Sequence, residues 1–228
     1  MTDPRIIVAI DTYDLEEANA ILDQLNPDLC KIKIGSVVFN SIGKSFLREV
    51  SSRGFKIFLD LKLHDIPNTV HEAILGFHDC VIDMLTVHLS GGEEMLKKAM
   101  LAGKSIDTKV IGVSILTSLE ESDTMALFDN KLDHQIRNLF EIAVKANLDG
   151  VVCSPHELEM SNTILNSDSI KITPGIRDIK ARDDQARTMS AKEAIEKGAT
   201  FLVIGRPITQ SKDISQALQN FNNSIYEK

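Results

Sequence analysis

The chain has little of what staples small or extracellular folds together. Its three cysteines, Cys30, Cys80 and Cys153, lie far apart and form no C-x-x-C pair. That spacing argues against a zinc site and a disulfide framework, and for reduced, partly buried thiols in a cytoplasmic protein. A basic tail is also missing: 33 acidic residues against 25 basic ones give a formal charge of −8. Such a balance makes the chain a poor partner for a nucleic acid backbone, although a few placed cations suffice for one phosphate. No apolar run approaches the ~20 residues needed to span a bilayer. The opening MTDPRIIVAID lacks the basic and then apolar regions of a secretory signal. Linkers, low-complexity tracts and short repeats are absent too. The expectation is an intracellular protein with neither membrane nor nucleic acid as a partner.

What is present is a regular alternation of short, Val- and Ile-rich runs with longer amphipathic stretches. Residues 5–10, 30–34, 54–59, 84–88, 109–114, 150–153, 170–173 and 201–204 read as strands. Helices are expected over 15–25 (with Asp14 as N-cap), to about 53, over 69–80, after Gly91-Gly92, over 133–146, after Pro155, and over 191–197 and 214–226. Near-continuous apolar strands indicate a parallel sheet covered on both faces. Eight strand–helix units suit closure, so the fold expected is α/β, a (β/α)₈ or TIM barrel in a single domain spanning residues 1–228. The rival, an open doubly wound sheet, usually has fewer strands and a Gly-rich first turn, which IDTYD lacks.

Barrel active sites form at the C-terminal ends of the strands, and several of those ends carry charge. Asp11 closes the first strand, Lys33 lies near the end of the second, and Asp60 ends the third. Lys62 follows two residues on, so an extended chain would point it the same way as Asp60. Asp65 follows in the loop, inside DLKLHDIPNT. Any one of these could be a solvated strand end. Parallel neighbours ~4.8 Å apart would instead gather them into one cluster of alternating sign. Buried charges persist when paired in that way, whether for structure or for chemistry. At the far end, TPGIR (173–177) follows the seventh strand and VIGRPIT (203–209) the eighth. Barrels often bind phosphate there, with Gly205 letting the backbone approach while Arg177 and Arg206 offer guanidinium forks.

DLKLHDIPNT, HLSGG, LTS, TPGIR, DDQ and VIGRPIT occur in the order seen in bacterial orotidine 5′-phosphate decarboxylases, and the chain resembles that family from Asp11 to Thr209. The resemblance implies a homodimer of (β/α)₈ barrels that uses no metal or other cofactor, with active sites at the subunit interface. It implies that Lys62 is the proton donor to C6 of the pyrimidine, with Asp60 and Lys33 the rest of a Lys–Asp–Lys array. Asp65 would complete the array from the partner subunit, and Thr69 would also reach across the dimer. Asp11 and Lys33 match the ribose contacts and Thr117 a pyrimidine contact. Gln185 would bridge base and phosphate, and Arg177, Gly205 and Arg206 would hold the phosphate. Leu89 stands where the family commonly has Ala, and Ser114 where Thr is frequent; both bear on packing near the mouth. The polar, Arg-rich stretch 173–188 would suit a lid.

Two rivals share parts of this pattern. Magnesium-dependent sugar-phosphate barrels also show D-x-K-x-x-D, but they resemble one another in a metal-binding Glu where this chain has Lys33. A non-catalytic nucleotide-binding barrel would keep the phosphate loops and lose a member of the charged array. His64 and His88 lie close to the site without a carboxylate at metal-ligand spacing, which favours orientation or packing. His71, His78, His134 and His156 fall on helices or helix starts, and Lys56 begins a strand far from the catalytic end. Lys31 shares the parity of Lys33 but lies deeper in its strand, with no role assigned by sequence.

Overall fold

The apolar runs form eight strands: β1 (Ile6–Ile10), β2 (Cys30–Gly35), β3 (Ile57–Leu63), β4 (Met84–His88), β5 (Lys109–Val113), β6 (Gly150–Val152), β7 (Ile170–Thr173) and β8 (Phe201–Ile204). The computed structural model describes residues 3–176 and 189–226. All strand pairs are parallel, and β1 pairs with both β2 and β8, which closes the barrel in sequence order. That closure excludes the open sheet.

Between and after the strands lie α1 (Leu15–Leu22), α2 (Ser36–Ile42), α3 (Lys44–Ser52), α4 (Pro67–Leu75), α5 (Glu93–Ser105), α6 (Glu121–Phe128), α7 (Leu132–Lys145), α8 (Leu158–Ile164), α9 (Ala191–Glu196), α10 (Arg206–Thr209) and α11 (Ile214–Tyr226). Asp14 caps α1 as expected, its carboxylate accepting from the Glu16 and Glu17 amides. The helix read to residue 53 is two helices, because Gly43 adopts φ +86° and breaks the turn. Helix α4 starts earlier than expected: Pro67 takes its first turn, where a missing N–H costs nothing. Helix α6 was not foreseen, and its Met125 and Leu127 are exposed, so it shows no apolar stripe facing the core. Among the described residues no helix is long and apolar enough to cross a membrane.

Strand side chains alternate between two cores. Ile7, Phe58, Met84, Ile111, Ile172 and Phe201 fill the inside of the barrel. The other parity packs outward against the helices in a larger layer that includes Val8, Ile32, Leu59, Leu85, Leu139 and Leu202. Cys30, Cys80 and Cys153 are buried and unpaired, and burial pushes the Cys30 and Cys153 thiols up to about 12.

Lys31 and Lys33 have the same parity on β2 yet serve opposite ends. Lys31 is 1% exposed and turns to the N-terminal end of the barrel. There its ammonium meets Asp83 at 2.6 Å and Asp3 at 2.8 Å and lies 4.4 Å from the Phe201 ring centroid. Lys109 adds a second cation to Asp83 at 2.8 Å, and the exposed Lys56 a second to Asp3 at 2.7 Å. Burial alone would raise the Asp83 carboxyl, but hydrogen bonds and charge from Lys109 and Lys31 outweigh it and hold the group below its ordinary value. A carboxyl lowered in the fold contributes stability above its unfolded value, and the contribution disappears as pH falls through the folded value.

Two outcomes are expected at this floor. Asp83→Ala leaves a buried ammonium half-paired and should cost about 3 kcal/mol in urea denaturation at neutral pH. The wild type should lose stability between about pH 5 and pH 3, and the variant should lose less over that window. Equal pH dependence in both proteins would remove Asp83 from this role.

Candidate active site

At the opposite end of the barrel the charges read from sequence do converge. Asp11 follows the last residue of β1, while Lys33 lies inside β2 and Asp60 and Lys62 inside β3. The Lys33 ammonium stands 3.3 Å from Asp11 Oδ1 and 3.7 Å from Asp60 Oδ2, and the Lys62 ammonium is 2.8 Å from the same Asp60 oxygen. Lys33 and Asp60 side chains are each 12% exposed and Lys62 is 35% exposed, so the cluster sinks from the rim into the barrel. Partial burial of alternating charges makes the pairing necessary, because an unpaired member would lose its hydration without compensation.

Asp60 and Lys62 meet for a different reason from the one expected. An extended chain would have aligned them by parity, but Lys62 has φ +52°, a left-handed conformation costly for a residue with a Cβ. Pairing with β4 passes from Leu59–Leu85 to Leu63–Val87, so β3 uses four residues where β4 uses two. The extra length is a bulge, a device that re-aims side chains at the rims of barrels. Here it folds the Lys62 side chain back onto Asp60.

Thr86 receives that bulge from β4. Its hydroxyl accepts the Lys62 backbone N–H at 2.8 Å and donates to Asp60 Oδ1 at 3.0 Å. Thr86 is fully buried, and the sequence reading missed it. The signal was present, since a lone threonine in MLTVH shares its parity with Met84 and His88, both turned to the barrel interior. Gly35 was missed as well. A Cβ there would lie 3.0 Å from the Lys33 Nζ and 3.4 Å from Asp11 Oδ1, so only glycine leaves that ion pair unhindered.

His88 is half-buried at the end of β4, with the exposed His64 ring 5.5 Å away and tilted by 47°. Burial, aided by His64 and Lys62, pushes the His88 imidazole below its ordinary value against the pull of Asp60. A neutral ring beside Lys62 is the outcome at neutral pH.

Asp65 and Thr69 do not join the cluster within this chain. Asp65 is exposed, accepts the Ile66 amide at 2.7 Å and makes no ion pair among the described residues. Thr69 is exposed in the first turn of α4. Thr117 is exposed in the turn after β5. Gly205 stands at the start of the four-residue α10, next to the exposed Arg206. Arg177, Gln185 and most of the stretch read as a lid lie outside the described residues.

Comparison with known proteins places the chain in one family by sequence and by fold. Residues 4–221 match the model of the orotidine 5′-phosphate decarboxylase / HUMPS family. The chain is 40% identical to the orotidine 5′-phosphate decarboxylase of Actinobacillus succinogenes, with 98% of each chain covered. It is 41% identical to that of Coxiella burnetii, covering 98% of this chain and 97% of the relative. The crystal structure of orotidine 5′-phosphate decarboxylase from Lactobacillus acidophilus superposes with a TM-score of 0.86 at 30% identity, over 99% of this chain and 100% of the other.

The space left by Gly35 gives a direct test of the cluster. Gly35→Ala should push the Lys33 ammonium away from Asp11 while costing less than about 1 kcal/mol, because the obstructed atom is the end of a flexible side chain. A crystal structure and a urea titration of the variant check both parts. An unchanged Lys33–Asp11 distance would mean that Gly35 is not what makes room for the pair.

Proposed function

Because the chain belongs to the orotidine 5′-phosphate decarboxylase / HUMPS family, we infer that it converts orotidine 5′-monophosphate to uridine 5′-monophosphate and CO₂. It is a carboxy-lyase acting in the last step of de novo pyrimidine nucleotide synthesis. The observation that carries the finer reading is the cluster of Asp11, Lys33, Asp60 and Lys62 at the catalytic end of the barrel. A Lys33 ammonium between two carboxylates fills the place a divalent cation would take, which favours metal-free chemistry over the magnesium-dependent sugar-phosphate enzymes of the same family.

In this reading the 5′-phosphate is held by Arg177, Gly205 and Arg206 after the seventh and eighth strands, with Gln185 bridging phosphate and base. Asp11 and Lys33 take the ribose hydroxyls, and Thr117 the pyrimidine. Binding energy from the remote phosphate holds the C6 carboxylate against the carboxylate of Asp60. The C6–carboxyl bond breaks, CO₂ departs, and the electron pair stays on C6. The Lys62 ammonium, within hydrogen-bond range of Asp60, stabilises that charge and then transfers its proton to C6.

Asp65 and Thr69 belong to the partner's site in this reading, with the protein a homodimer in the cytoplasm. Support comes from their exposure on the rim beside Ile66, an apolar side chain 67% exposed. A carboxylate from the second chain would add a further negative group beside Lys62.

Loss of orotidine 5′-monophosphate is followed spectrophotometrically with EDTA present. Wild type should turn over undiminished by EDTA, and Lys62→Ala should lose at least about 10⁴-fold in kcat. Absence of turnover in folded wild type would redirect the assignment to the sugar-phosphate enzymes, assayed next with magnesium, or to a nucleotide-binding barrel that binds without releasing CO₂. The shared site has its own test. Mixing Lys62→Ala with Asp65→Ala should restore activity, because each heterodimer carries one intact site. No recovery after verified subunit exchange would place Asp65 in its own chain's site.

A further inference from the structure

We propose that Thr86 is a positioning residue for the decarboxylation, fixing the Asp60 carboxylate and the Lys62 backbone through one buried hydroxyl. The proposal rests on the decarboxylase reading above and adds to it a residue on β4, a strand that brings no charge to the cluster.

The hydroxyl has a single assignment. Its one proton goes to Asp60 Oδ1, and one of its lone pairs takes the Lys62 N–H. Asp60 is therefore divided: Oδ1 is held by Thr86, while Oδ2 faces the ammoniums of Lys62 at 2.8 Å and Lys33 at 3.7 Å. Without the hydroxyl the carboxylate could turn about its terminal torsion, which is broad and roughly two-fold. Either oxygen would then serve either lysine, and the geometry presented to a C6 carboxylate would be lost. The other bond fixes the residue at φ +52°, whose side chain delivers the proton. A left-handed residue of this kind persists only when its surroundings over-determine it. Thr86 is fully buried, so water has little access to replace either bond. His88, two residues further along β4, has its ring 5.5 Å from that of His64.

Small displacements at a reacting centre cost rate more than binding, and about 1 Å can remove 10²-fold. The nucleotide's phosphate and ribose contacts lie on other strands, so they should survive the loss of this hydroxyl. Thr86→Val keeps the volume and removes the hydrogen bonds; Thr86→Ser keeps the hydroxyl and removes a methyl.

The experiment measures kcat and KM for orotidine 5′-monophosphate, and calorimetric affinity for uridine 5′-monophosphate, in wild type and both variants. Thr86→Val should lose about 10²-fold in kcat, with product affinity within about threefold of wild type. Thr86→Ser should recover most of the lost kcat. Should the valine variant fail to fold, Thr86→Ala is read by the same criteria. A hydroxyl-free variant that turns over within threefold of wild type overturns the proposal, as does a serine variant as impaired as valine. If wild type itself has no turnover, the decarboxylase reading falls, and this inference with it.

Discussion

The upper rim of the barrel is organised around one carboxylate, Asp60, which is held between two ammoniums and a hydroxyl while largely removed from water. A charge in that position persists only if each oxygen is matched. Lys33 and Lys62 supply opposite charge from two directions, and Thr86 supplies the hydrogen bond that keeps the carboxylate from turning. Asp11 in turn matches Lys33 from the end of β1. Removing Asp60 would leave the partly buried Lys62 ammonium without its carboxylate, whereas loss of any other member would leave Asp60 or Lys33 with fewer partners. The four strands from β1 to β4 are therefore coupled at the rim by electrostatics as well as by backbone pairing.

Maintaining this arrangement requires departures from regular structure at two points. β3 carries a bulge with Lys62 in a left-handed conformation, and β2 ends in a glycine that leaves space beside the Lys33–Asp11 pair. Both are locally unfavourable choices for a strand: a non-glycine residue at positive φ is strained, and glycine packs nothing. They occur where side chains must be aimed, while the strands elsewhere hold a dense apolar core. Ordered strain at a rim set on a rigid barrel fits a site that must keep its geometry through a reaction.

β2 shows how one strand can place a charge at each end of the barrel. Lys31 and Lys33 differ by one period of the strand and both project inward, yet Lys31 closes the floor with Asp3 and Asp83 while Lys33 joins the rim with Asp11 and Asp60. The separation follows the general division of such barrels, whose N-terminal face carries stability and whose C-terminal face carries chemistry. Both lysines are surrounded by carboxylates, so local charge alone does not tell a structural ion network from a reactive one. Which end of the barrel the side chain reaches is what distinguishes them.

Much was legible in the sequence. Alternating apolar runs gave the eight strands, because a strand covered on both faces must be apolar throughout, and 84–88, 170–173 and 201–204 coincide with β4, β7 and β8. Charges at strand ends gave Asp11, Lys33, Asp60 and Lys62, since charge in an apolar context stands out. Composition and pattern could not give the break at Gly43, the exposed helix α6 or the bulge in β3. Each depends on a local backbone choice or on apolar side chains that stay exposed among the described residues. The sequence by itself therefore determined the fold class, the family and the residue types of the site. Tertiary structure alone decided which atoms meet: that Lys62 reaches Asp60 through a kink and not by parity, that Thr86 joins them, that Gly35 leaves room beside Lys33, and that Lys31 faces the floor. The reason is that periodicity records which face a side chain takes, whereas hydrogen bonds and ion pairs depend on distances between strands, which closure of the barrel sets.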